Sequence, residues 1–200
     1  MSIIEKMEDI IIEDATPKES SLIADAILEA IGQDITMNLA GDKGKETVHE
    51  IFRRLAEKED TQYSYKNTRI AKTPDGVPIG VCISYDGANL KKLRQAFFEE
   101  ANNHLGWGMS KQEIENLPGE TDEEEFYLDT LMTKPNFRGK GVGRALIIDA
   151  GRKATLAQKP LGLLCDMDND KAYRLYKDIG FVKEGTRLFA GHEMYHLILK

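Results

Sequence analysis

The stretch KPNFRGKGVGRALI, residues 134–147, sets Gly139, Gly141 and Gly143 among Arg138, Lys140, Val142 and Arg144. It stands after an apolar strand pattern and before an apolar helical one. Glycines let a backbone come close to a ligand, and the first turn of a helix leaves N–H groups unpaired with partial positive charge. Phosphate is the ligand that such a site takes, and three cationic side chains add to it. On the glycines alone, a basic loop that merely opens a helix remains an equal reading. A second stretch, HEMYH at 192–196, has the zinc-peptidase form H-E-x-x-H.

The elements that must position these residues follow from periodicity. DIIIEDAT reads as a strand, and Pro17 opens a helix with Leu22, Ile23, Ala26, Ile27, Ala30 and Ile31 on one face. Val48, Ile51, Phe52, Leu55 and Ala56 mark a second helix. YKNTRIAKT and VPIGVCISYDG form two strands around a Pro74-Asp75-Gly76 turn. From 88 to 122 come one helix along Leu90, Leu93, Phe97, Ala101 and Leu105, and a short one capped by Ser110 and Glu113. The acidic GETDEEE that follows reads as a solvated loop. Then come a strand at FYLDTLMT, a helix over 142–156, a strand at LGLLCDM, a helix over 170–179 and a closing hairpin. The pattern predicts an α/β fold with a mixed α+β sheet.

The glycine spacing departs from the Rossmann G-x-G-x-x-G and from the P-loop. RGKGVG instead has the form [QR]-x-x-G-x-[GA], follows LDTLMTKPNF, and precedes NDKAYRLYKDIGF. This combination resembles the GCN5-related N-acetyltransferases, the GNAT superfamily, over about residues 125–182. The resemblance implies an acyl-CoA N-acyltransferase fold, one domain over 1–200, and a helical insertion at about 88–122 before the fourth strand. It implies acetyl-CoA as co-substrate, its pyrophosphate cradled by the N–H groups of Arg138, Gly139, Lys140, Gly141, Val142, Gly143 and Arg144. It implies that the fourth and fifth strands part, so that the pantetheine arm pairs with the backbone of Leu131, Met132 and Thr133. Thr133 stands where the family often has valine.

Acetyl transfer to an amine needs proximity, a donor for the developing oxyanion, loss of an amine proton and protonation of the leaving thiolate. By the resemblance, Tyr176 is the general acid. Residue by residue, it shares an inward helical face with Ala172, Leu175 and Ile179, where a core tyrosine would also fit. Asn169 matches the family's pantetheine-binding asparagine, and also suits an N-cap. Asp129 matches the acidic residue of the polyamine acetyltransferases and is the candidate base, with Asp166 or a water chain as alternatives. The acid that another branch carries on the fifth strand falls on Leu164 and is missing here.

The competing chemistries are weaker. The segment around HEMYH is rich in strand formers, and on a strand His192 and His196 would stand roughly 13 Å apart at ~3.3 Å per residue. A third zinc ligand would have to be His49 or His104. DMDND at 166–170 fails as a calcium loop, because Lys171 and Lys177 occupy the required glycine and glutamate positions. Cys82 and Cys165 lie in apolar runs as small buried hydrophobes, with a disulfide or an acyl-carrying Cys165 as the other readings.

A net charge of -7 over 200 residues disfavours nucleic acid as a partner. No apolar run nears the roughly 20 residues of a membrane span, and the acidic opening is unlike a leader. The expectation is a cytoplasmic, metal-free N-acetyltransferase acting on an amine-bearing small molecule or peptide. A homodimer is the assembly that the family's habits allow, and an acyl-CoA sensor without catalysis is the alternative function.

Overall fold

The computed structural model describes residues 10–200; residues 1–9 of the acidic opening lie outside them. Strands β1 (Ile11–Asp14), β2 (Thr68–Lys72), β3 (Pro78–Asp86), β4 (Phe126–Thr133), β5 (Leu161–Asp166), β6 (Val182–Phe189) and β7 (His192–Leu199) form one sheet. Its order is β1-β2-β3-β4-β5-β7-β6, antiparallel except between β4 and β5. Helices α1 (Ser20–Ala40) and α2 (Lys45–Glu57) cover one face. Helices α6 (Val142–Leu156) and α7 (Asp170–Ile179) belong to the opposite layer. Three further helices lie between β3 and β4: α3 (Leu90–Leu93), α4 (Gln95–Leu105) and α5 (Lys111–Asn116). None of the helices among the described residues is long and apolar enough to cross a membrane.

Alternation along the central strands sorts the core into two layers. Val81, Ile83 and Tyr85 of β3 pack with Ile23, Ile27, Phe52 and Leu55 of α1 and α2. Cys82 packs with Leu128, Leu146, Ile147 and Leu163 on the other side. The face expected of α2 is buried throughout; of that expected of α1, Ile23, Ala26 and Ile27 are buried, Leu22 and Ile31 half-buried and Ala30 exposed, and the helix breaks at Gly32 before resuming to Ala40.

The segment 88–122 departs from expectation in two ways. Its first helix is two, joined at Arg94, because the Arg94 side chain turns inward. Its guanidinium donates to the carbonyls of Leu117 at 2.8 Å, Ile114 at 3.0 Å and Pro118 at 3.0 Å. These carbonyls belong to the end of α5 and the turn beyond it, where helical partners run out. Phe97 also stacks on Phe52 of α2, with ring centroids 5.7 Å apart, which seats the segment on the body of the protein. The second departure is GETDEEE. It is solvated only in part: Gly119, Asp122, Glu123 and Glu124 are exposed, but Thr121 and Glu125 are buried, and Glu120 is turned into a cavity.

Glu125 anchors the point from which β4 and β5 diverge. Its carboxylate takes a hydrogen bond from Thr121 Oγ1 at 3.0 Å and lies 3.0 Å from His196 Nε2 and 3.7 Å from Arg187. Gly162 makes room for it, since a Cβ there would stand 2.3 Å from Glu125 Oε2 and 3.1 Å from Ile198 Cδ1. Gly162→Ala should therefore cost about 1–3 kcal/mol by overpacking, read as a lower urea midpoint with unchanged slope. The same substitution in a Glu125→Ala background should cost measurably less, because the clashing group is gone.

Candidate active site

β4 and β5 pair only at Phe126↔Leu161 and Tyr127↔Gly162. Beyond those two pairs the strands separate. The β3–β4 register jumps from Ile83↔Thr130 to Ser84↔Leu128, so Asp129 is the extra residue of a β-bulge. A bulge bends its strand and re-aims a side chain. Both effects are seen here: β4 leaves β5, and Asp129 turns toward Tyr85 and Gln62.

The parted strands expose backbone groups. Lys134 donates its N–H to Ile79 O at 2.9 Å. Antiparallel pairing alternates, so Met132 likewise turns its main-chain groups to its partner Val81. Leu131 and Thr133 turn theirs the other way, into the gap. Of the three backbone positions expected to meet the cofactor, two face the gap, while Met132 lines the cavity.

α6 begins beside the same gap. Gly141 is its N-cap, with φ 92°, and Gly139 has φ 72°, backbone conformations that favour glycine. Ala145 N–H closes the first helical bond onto Gly141 O at 2.9 Å. The N–H groups of Val142, Gly143 and Arg144 are thus first-turn donors without helical acceptors. Arg138 differs. Its N–H bonds Pro135 O at 3.3 Å, its Nε donates to Thr133 O at 3.1 Å, and its Nη2 pairs with Glu29 of α1.

A cavity of about 820 Å³ joins these parts. The glycine loop, β4, the end of β5 and α7 line it on one side; α1, Tyr63, Glu120, Phe189 and Met194 line the other. Tyr176 is buried against Phe181, with centroids 5.5 Å apart, and faces this space. Burial pushes its hydroxyl pKa up, so it holds its proton at neutral pH. Asn169 caps α7, its Oδ1 accepting from Ala172 N–H at 3.1 Å, and also lines the cavity. Both expectations for Asn169 are thus compatible, because its amide NH2 is not used in the cap.

Asp129 accepts from Tyr85 Oη at 2.8 Å, Thr130 Oγ1 at 2.9 Å and Gln62 Nε2 at 3.4 Å. Burial raises its pKa, against the lowering effect of these donors. Glu120, which the sequence reading passed over, takes a 3.3 Å bond from the same Gln62 Nε2. Burial and the nearby Asp129 charge push its pKa up to about 7. The only clue in sequence was an acidic residue at the end of an unexplained segment. Asp166 lines the cavity but is exposed and bonds Asp168 N–H at 2.9 Å.

HEMYH lies on β7, so the helix that the zinc pattern requires is not formed. His196 faces Glu125, and Glu193 accepts from Thr186. His49 lies 3.0 Å from Asp25 and His104 3.0 Å from Arg54, each held in surface contacts.

Residues 46–181 match the acetyltransferase (GNAT) family. The chain belongs to that family and is an acyltransferase. A solved acetyltransferase is 25% identical with a TM-score of 0.74, covering 95% of this chain and 98% of its own. An N-acetyltransferase from Staphylococcus aureus Mu50 is 26% identical with a TM-score of 0.77, covering 94% and 100%. The NatC complex bound to Gag peptide and CoA shares the fold at 16% identity and a TM-score of 0.55, covering 96% and 98%. No curated protein sequence matches.

The two cysteines are free and buried. Burial pushes the thiol pKa of Cys82 up to about 12 and that of Cys165 up to about 11. Thiolate is the nucleophile, so neither suits an acyl carrier. A thiol-titrating disulfide reagent at pH 8 should leave the native protein unreacted over minutes and modify both cysteines in guanidinium. Rapid modification of the native protein would contradict this burial.

Proposed function

We propose that this protein transfers the acetyl group of acetyl-CoA directly to a primary amine. One observation carries the reading: the open first turn of α6 and the free backbone edge of β4 border one cavity that also holds Tyr176 and Asp129. A pyrophosphate at the loop from Arg138 to Arg144 sends the pantetheine arm along β4. There the outward N–H groups of Leu131 and Thr133 can pair with it, and one of them meets the thioester carbonyl as charge develops. Arg138, already bonded through its N–H, contributes charge and loop shape instead. Asn169 offers its amide NH2 to the arm.

The amine then attacks from the β4 side. Asp129 supplies the negative charge that draws it in, and Tyr176 supplies a proton to the departing thiolate. No covalent acyl-enzyme is needed, in keeping with the two suppressed thiols. The NatC complex, a neighbour in fold, is bound to Gag peptide and CoA, which supports a site for an acceptor beside CoA. Binding by a non-catalytic sensor would account for the loop but would give the buried Tyr176 no role.

Tyr176→Phe should lower kcat by about 10²–10⁴-fold, the range for a general acid. Acetyl-CoA affinity, read by calorimetry, should stay within a factor of about two. An unchanged kcat would remove Tyr176 from the chemistry. Gly141→Val should act oppositely, because a β-branched residue resists φ 92°. Its acetyl-CoA Kd should rise about tenfold or more.

A further inference from the structure

The acetyl-transfer reading leaves one group in the cavity unexplained. Glu120 is the cavity's only contribution from the segment between β3 and β4 among the described residues. Arg94 holds that segment in place through three carbonyls just before Glu120. The amide of Gln62 bridges Glu120 and Asp129, with contacts of 3.3 and 3.4 Å from one nitrogen. Two carboxylates are thus held side by side in the cavity wall. Tyr63 and Tyr127 stand beside them, and Ile31, Ile35 and Met194 supply apolar wall.

The two acids are not equivalent. Asp129 is bound by three donors, which fixes its orientation. Glu120 takes one long bond from a side chain. Resting on the acetyl-transfer reading, we propose that Glu120 is the proton acceptor for the incoming amine. We further propose that the Glu120–Asp129 pair selects a primary ammonium on an apolar stem over acceptors that carry a carboxylate.

The proton balance closes. The ammonium N–H breaks and its proton passes to Glu120. The free amine attacks the thioester carbon, the C–S bond breaks, and the thiolate takes the Tyr176 proton. The nitrogen's second proton returns to the Tyr176 oxygen as the amide forms. Glu120 then gives its proton to water. The net products are an amide, CoA and one proton. A base poised near neutrality serves this step best, and Glu120 lies in that range. Burial sets it first and Asp129 raises it further, while a backbone hydrogen bond, Arg94 and Gln62 lower it. The facing tyrosines Tyr63, Tyr85 and Tyr127 have their own pKa values raised by burial and, after it, by both acids, and stay neutral.

The test uses the full chain with acetyl-CoA and two matched probes, pentylamine and 5-aminopentanoate. The wild type should favour pentylamine by at least about tenfold in kcat/KM, rising with pH through an apparent pKa near 7. Glu120→Gln should lose about 10²-fold or more and the rise near neutrality, with acetyl-CoA Kd unchanged. Added formate should partly restore turnover in Glu120→Ala, which a structural role would not allow. On the wild type itself, pentylammonium titrated at pH 7 into the protein with CoA should release up to about half a proton per site. This is read from the enthalpy difference between phosphate and Tris buffers. Transfer that proceeds equally well in Glu120→Gln, or shows no preference between the probes, would overturn this proposal and leave the acetyl-transfer reading standing. Acetyl-CoA binding without transfer to any amine would overturn both.

Discussion

The structure turns on the parting of two parallel strands. β4 and β5 share two residue pairs and then diverge. A buried carboxylate at their joined end, Glu125, sits over Gly162 with Thr121, His196 and Arg187 around it. A bulge at Asp129 starts the divergence. An unpaired strand edge inside a protein is costly unless something completes it, because every backbone N–H and C=O wants a partner. In the proposed reading, an extended amide-bearing ligand such as pantetheine meets that need in the manner of an added strand. The same bulge turns Asp129 to the acceptor side. In the proposed reading, one backbone irregularity therefore prepares both the cofactor groove and the charge facing the acceptor.

The two halves of the cavity are built by different means. On the cofactor side the determinants are mostly backbone: the donors at the start of α6, the left-handed Gly139 and Gly141, and the outward groups of Leu131 and Thr133. On the acceptor side they are side chains drawn from distant parts of the chain. Tyr63 precedes β2, Glu120 belongs to the inserted segment, and Phe189 and Met194 come from the closing hairpin. Backbone recognition accepts one ligand and tolerates sequence change around it. In the proposed reading, side-chain recognition sets which amine enters.

That division explains what could be read in advance. The strand at FYLDTLMT, the helices over 142–156 and 170–179, and the capping box at Ser110 coincide with the structure, because each has a strong local signal. The glycine loop was legible because its spacing and its flanking elements travel together. The Arg94 joint was hidden, since its three carbonyl partners lie about twenty residues further along the chain. The bulge was hidden because FYLDTLMT reads as one continuous strand, and only the register with β3 reveals the skipped Asp129. Glu120 was hidden among acids, most of which are solvated. Nothing local distinguishes the one that a distant glutamine and an aspartate enclose. HEMYH showed the converse, a motif present in letters whose secondary structure denies its chemistry.

The most direct test of this account is amide hydrogen exchange on the protein with and without acetyl-CoA. The account predicts slowed exchange at Leu131 and Thr133 and across Gly139–Arg144. Met132 and the β7 segment His192–His196 should change little, because Met132 is already paired with Val81 and His192–His196 lies in the sheet. Protection centred elsewhere, or binding that leaves Leu131 and Thr133 as they were, would contradict the claim that the gap between β4 and β5 holds the cofactor.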